Sequence, residues 1–118
     1  NAEYICSNLQ VSLPAVALVG SAAIETAFAN DRAPDLCFAQ QVMGLGNKGD
    51  ILLGISTSGN SKNIIYALDV AKAKGLKTIA LTGKGGGKMA TKSDVLIDAP
   101  ETETYKVQEL HLPIYHAI

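Results

Sequence analysis

Ser56-Thr57-Ser58-Gly59-Asn60-Ser61 sets four hydroxyls in a short loop, directly after the apolar run Ile51 to Ile55 and directly before the amphipathic run Asn63 to Lys74. A hydroxyl-rich loop at a helix N-terminus suits an anion, because the first N–H groups of a helix have no internal acceptor and the helix dipole is positive there. Hydroxyl donors reach phosphate oxygens without adding a fixed positive charge, so a metabolite can both bind and leave. Gly59 supplies the tight turn and the close backbone approach. The competing reading is an ordinary loop closed by a Ser61 helix cap. A cap needs one hydroxyl and this loop offers four, which favours phosphate. The loop has neither the lysine of a P-loop nor the glycine spacing of a dinucleotide turn, so a phosphorylated metabolite is expected rather than a nucleotide.

The elements that must hold this loop follow from hydrophobic periodicity. Ala15 to Leu18 reads as a short strand after Pro14, and Ala22 to Ala29 as a short helix closed by Asn30-Asp31. Pro34 opens the next helix, with Leu36, Phe38, Ala39, Val42, Met43 and Leu45 as its apolar stripe, and Gly46 to Gly49 ends it. After the strand Ile51 to Ile55 comes the helix Asn63 to Lys74, apolar along Ile64, Ile65, Leu68 and Ala71 and closed by Gly75. The strand Thr78 to Leu81, a flexible loop Gly83 to Gly87 and a last strand Val95 to Ile97 follow. Glu103 to Ile118 reads as a helix with Val107, Leu110, Ile114 and Ala117 inward, kinked at Pro113. Short apolar strands alternating with helices predict an α/β fold, a doubly wound parallel sheet sandwiched by helices. Ligands of such sheets collect beyond the carboxyl ends of the strands, where both the Ser56 loop and the Thr82-Gly83 loop fall.

The composition bounds the partners. A chain of 118 residues with 47% hydrophobic content makes one domain with its own core. A net charge of -1 without any dense Lys/Arg run gives no electrostatic footprint for nucleic acid, and no apolar stretch approaches the ~20 residues of a membrane span. Cys6 and Cys37 lack metal-like spacing and read as buried thiols in a reducing compartment, so a cytoplasmic protein is expected. Lys84 and Lys88 in the glycine loop read as solvated.

Gly54-Ile55-Ser56-Thr57-Ser58-Gly59-Asn60-Ser61, Leu81-Thr82-Gly83 with its following glycines, and Gln108-Glu109-Leu110-His111 with His116 occur here in the order found in one family. The chain resembles the sugar-isomerase (SIS) domain family. Leu13 to Leu18, Thr26-Ala27, Asn30-Asp31 and the Gln108/His116 pair narrow the resemblance to its phosphoheptose isomerase group, which interconverts sedoheptulose 7-phosphate and glycero-manno-heptose 7-phosphate. The resemblance implies a flavodoxin-like SIS fold over residues 1–118, without the N-terminal helix, first strand and first phosphate loop of that group, and it implies a shortened connection between Gln10 and Leu13. It implies phosphate binding by Ser56, Thr57, Ser58 and Ser61, substrate contacts at Ser21, Asn30, Asp31 and Thr104, and a catalytic or metal-binding role for Gln108 and His116, with zinc as the metal. It also implies a homotetramer with sites built from several subunits. His111 reads as a structural histidine.

Aldose–ketose isomerisation needs a base beside the carbonyl carbon and an acid at the carbonyl oxygen. Aligned on the family, Asn8 stands where the catalytic glutamate belongs, Tyr4 where a metal-binding histidine belongs, and Ser21 where an aspartate is usual. An amide has no useful basicity near neutral pH, and tyrosine is a poor zinc ligand beside His and Gln. A rival alignment makes Glu3 the base. The expected function is therefore a phosphosugar-binding SIS domain that resembles phosphoheptose isomerase and lacks turnover. An active sugar-phosphate isomerase using Glu3 is the alternative, and a non-catalytic SIS protein that binds the replication initiator DnaA or serves as a regulator is the second.

Overall fold

The computed structural model describes residues 2–9, 13–19 and 34–118. Its elements are α1 (Ala2–Leu9), a 3-10 turn at Pro34–Leu36 leading into α2 (Cys37–Leu45), β1 (Ile51–Ser56), α3 (Lys62–Lys74), β2 (Lys77–Thr82), a 3-10 turn at Gly87–Met89, β3 (Val95–Asp98) and α4 (Thr104–Ala117). The three strands form one parallel sheet in the order β1-β2-β3. The α/β class with a parallel sheet is thus as expected from the alternation of short apolar strands and helices.

Two apolar clusters hold the layers. Val42 of α2 meets Ala67 and Ala71 of α3 and Leu76, with Leu18, Phe38, Leu52 and Val70 packed around them. Ile65 and Leu68 of α3 meet Ala80 of β2 and Met89, with Leu52, Ile64 and Leu96 at the margin. The helix α3 therefore carries a stripe of period 3.6 that faces α2 on one side and the sheet on the other. Gly75 ends it in the left-handed region, φ 82°. The Gly75 N–H reaches the Lys72 carbonyl at 3.0 Å and the Leu76 N–H reaches the Ala71 carbonyl at 2.9 Å, a Schellman closure that turns the chain straight into β2. The Lys74 ammonium, in turn, donates to the Val42 and Met43 carbonyls at the open end of α2.

Three local expectations change. Residues 13–19 are irregular rather than a strand at Ala15 to Leu18. The Leu18 carbonyl accepts from the Gln41 amide at 3.0 Å instead of from a neighbouring strand, while Leu13 and Val16 stay exposed. The inward face of α4 is Val107 and His111, both fully buried, whereas Leu110 is 40% exposed. The glycine loop after β2 is packed against the serine loop. Pro113 lies within α4 without ending it. The expected helix Ala22 to Ala29 lies outside the described residues.

Candidate functional site

The site starts at the carboxyl ends of β1 and β2, where Ser56 and Thr82 are register partners. Ser56 is buried, and its hydroxyl shares a 2.8 Å hydrogen bond with the Ser61 hydroxyl. Ser61 occupies the N-cap position of α3 but makes no side-chain cap. The Ile64 N–H is taken by the Asn63 side chain at 2.9 Å and the Ile65 N–H by the Ser61 carbonyl at 3.0 Å. That leaves the N–H groups of Lys62 and Asn63 in the first turn without an intrahelical acceptor. The hydroxyls of the loop therefore pair with each other beside a helix start whose first N–H groups are open, and Ser61 makes no side-chain cap.

The serine loop is shaped by the glycines of the following loop. Gly59 adopts φ 65°, and a Cβ there would stand 2.1 Å from the Gly86 carbonyl oxygen. A Cβ on Gly83 would stand 2.5 Å from the Thr57 carbonyl, and one on Gly87 2.6 Å from that of Ser58. Three hydrogen bonds stitch the loops together: Gly83 N–H to Thr57 carbonyl at 3.0 Å, Met89 N–H to Gly59 carbonyl at 3.0 Å, and Lys88 N–H to the Asn60 side-chain oxygen at 3.1 Å. The glycine run is thus a backbone clamp rather than a mobile linker. The sequence marks Asn60 only as part of the motif, yet it ties both sides, since its amide also donates to the Ser58 carbonyl at 2.9 Å. Thr57 is half-buried, and Ser58 is exposed with its hydroxyl accepting the Asn60 N–H at 3.2 Å.

Thr104 is the first residue of α4 and is exposed. Just before it, the N–H groups of Thr102 and Glu103 hold the Glu101 carboxyl below the usual carboxylate range. Gln108 lies in a shallow depression of about 410 Å³ on the outward face of α4, lined also by Tyr105, Glu109, Leu112 and Tyr115. His116 is exposed near the end of the same helix. The Tyr4 ring of α1 stacks on its imidazole with centroids 5.2 Å apart and planes at 26°, and Tyr115 meets both rings. The structure thus brings Tyr4 to His116. Glu3 is exposed beside it, and the Asn8 amide donates to the Tyr4 carbonyl at 2.8 Å. Ser21, Asn30 and Asp31 lie outside the described residues.

Zinc sites use nitrogen, thiolate or carboxylate donors in a tetrahedral set. Around His116 the described side chains offer an imidazole, an amide a little over two turns away at Gln108, and a phenol whose ring lies over the imidazole, a set that does not fit zinc. Among the described residues no group of three or more His, Cys, Asp or Glu could hold a metal ion.

Comparison with known proteins agrees with this geometry. Residues 6–83 match the family described as SIS domain. The chain is 49% identical over 106 residues to the phosphoheptose isomerase of Nitratidesulfovibrio vulgaris, covering 90% of this chain and 51% of that protein. The fold superposes on the phosphoheptose isomerase of Neisseria gonorrhoeae with a TM-score of 0.95 and 42% identity, over 98% of this chain and 66% of that one. It superposes on a phosphoheptose isomerase from Francisella tularensis with a TM-score of 0.93 and 40% identity, over 98% and 65%. The chain spans about half the length of the curated relatives it matches. Matching family, sequence and fold in this way, it belongs to the SIS-domain family and is a phosphoheptose isomerase-like member of it.

Proposed function

We propose that this chain binds the phosphate of a sugar phosphate of the sedoheptulose 7-phosphate kind through Ser56, Thr57, Ser58 and Ser61, and does so without converting the sugar. The observation that carries the proposal is the Ser56–Ser61 hydroxyl pair beside an uncapped α3. A phosphate there would accept from hydroxyls and from first-turn N–H groups together. The absence of turnover follows from Asn8, an amide engaged as a donor within α1, at the position where the reaction calls for a carboxylate. Ser21, Asn30, Asp31 and Thr104 are assigned to the sugar hydroxyls on the family pattern alone. Gln108 and His116 are assigned to the carbon end, where they orient the sugar by hydrogen bonding.

The second reading is an active isomerase with Glu3 as the base, favoured by the 49% identity to a protein so named. In it, Glu3 takes the proton from the carbon beside the carbonyl, and His116 protonates the carbonyl oxygen to give the enediol. Either reading places the protein in the cytoplasm, where sugar phosphates are handled, in keeping with the free, buried Cys37. Among the described residues no helix is long and apolar enough to cross a membrane. A homotetramer belongs to the same proposal, supported by the outward-facing Tyr105, Leu112 and Ile118 of α4 and its end, each about half exposed in the single chain.

The test is a titration of the full-length protein with sedoheptulose 7-phosphate, run beside solvent deuterium incorporation at the carbon next to the carbonyl. Binding without exchange is expected. Exchange would establish the isomerase and bring Glu3 forward. No binding would remove the phosphate assignment.

A further inference from the structure

We propose that His111 is a positioning residue: its ring N–H to the Thr82 carbonyl fixes the rotation of α4 on the end of β2, and so holds the Gln108/His116 face in register with the phosphate loop. The functional part of this inference rests on the phosphate reading above.

His111 is fully buried, and its Nε2 lies 2.9 Å from the Thr82 carbonyl oxygen. A carbonyl only accepts, so Nε2 carries the hydrogen of this bond. Nδ1 is also buried and has no partner among the described residues. As packing this is a poor choice, since a buried polar atom left unpaired is unfavourable and an apolar side chain would avoid it. What an imidazole provides that leucine cannot is a directional donor.

The acceptor is also specific. Thr82 ends β2 as the register partner of Ser56, and the same carbonyl takes the Ala99 N–H at 2.9 Å. The next residue, Gly83, donates to Thr57 in the serine loop, and the Cβ it lacks would meet the Val107 side chain of α4 at 3.0 Å. One helix face, Val107 and His111, therefore sits on the end of β2, which Gly83 bonds to the serine loop that follows β1. Few other contacts join α4 to the described elements. Apolar contact at Val107 sets the distance of the helix but not its rotation. With side chains about 5–6 Å from a helix axis, a 20° rotation moves Gln108 and His116 by about 2 Å. Displacements of that size are enough to spoil the alignment of a bound sugar.

The experiment compares wild type, His111→Leu and His111→Gln in the full-length protein. Glutamine can present an amide N–H near the place of Nε2; leucine cannot. Two measurements are taken: dissociation constants for sedoheptulose 7-phosphate and for inorganic phosphate, and the NMR shift of the His116 ring proton Hε1, which senses the stacked Tyr4. The proposal expects His111→Leu to weaken the sugar phosphate at least tenfold while inorganic phosphate changes less than twofold. It expects His116 Hε1 to lose its ring-current shift and His111→Gln to restore both. Equal loss for the two ligands, an unmoved His116 signal, or a Gln variant no better than Leu would overturn it. If the Leu variant does not fold, His111→Asn, too short to reach Thr82, replaces it. Should wild type bind neither ligand, the phosphate reading fails, while the His116 signal still decides the positioning.

Discussion

Replacing Gly59 by alanine tests whether the serine loop and the glycine loop are one rigid unit. The new methyl would stand 2.1 Å from the Gly86 carbonyl oxygen and 2.5 Å from its carbon, backbone atoms that cannot rotate away. To reach ordinary contact the glycine loop would have to withdraw by about 1.3 Å. Such a shift breaks the Met89 N–H bond to the Gly59 carbonyl and the Lys88 N–H bond to Asn60. Each is worth about 1 kcal/mol net, and alanine at φ 65° costs about 1–2 kcal/mol more. Against this, alanine narrows the unfolded ensemble by about 0.5–1 kcal/mol. The net loss is about 2–3 kcal/mol, or roughly 10 °C in Tm for a domain of this size. Gly85→Ala is the control. Gly85 also has positive φ, 83°, but open space where its Cβ would be. It should cost only the backbone conformational part, about 1 kcal/mol and about 4 °C. Thermal melts of both variants followed by circular dichroism make the comparison. If the two melt within 2 °C of each other, the loops are not interlocked and the rigid-cradle argument is wrong.

Leu68→Ala removes a fully buried side chain between Ile65, Ala80 and Met89 and should cost about 2–5 kcal/mol in urea unfolding. Lys92→Ala breaks an ion pair with Asp69 at 2.6 Å, but both side chains are more than a third exposed, so chemical denaturation should register less than about 1 kcal/mol. The Asp94 carboxylate accepts the Thr78 N–H at 2.8 Å and its hydroxyl at 2.9 Å, which hold it below its ordinary 3.8. A folded value below the unfolded one gives stability that is present above the unfolded value and disappears as pH falls through the folded one. Asp94→Asn should therefore be less stable than wild type at neutral pH, and the gap should close as the pH of the melts falls below about 4.

Much of the architecture was legible in the chain because its signals are local. Pro34 and Gly75 mark a helix start and a helix end through fixed φ and left-handed φ, and β1 and β2 are short apolar runs between glycines. Ala15 to Leu18 has the same apolar signal, but a strand needs a partner ladder, and the Leu18 carbonyl goes to a glutamine side chain. The face of α4 was misjudged for a related reason. Apolar periodicity selects Leu110, whereas the end of β2 calls for a donor, which His111 supplies. Glycine composition suggested mobility after β2, and only the three-dimensional approach of Gly86 to Gly59 reveals a clamp. The hydroxyl count of the serine loop is plain in the chain, yet the pairing of Ser56 with Ser61 depends on side-chain geometry.

The central claim, a phosphate cradle at Ser56 to Ser61, is met most directly by calorimetric titration of full-length wild type and Ser61→Ala with sedoheptulose 7-phosphate. A hydrogen bond to a charged group is worth about 1.5–3 kcal/mol, so the account predicts saturable binding by wild type and affinity lower by about tenfold or more in the variant. Equal affinity in the two proteins, with only the Tm reduced, would return Ser61 to the role of a helix cap and contradict the account.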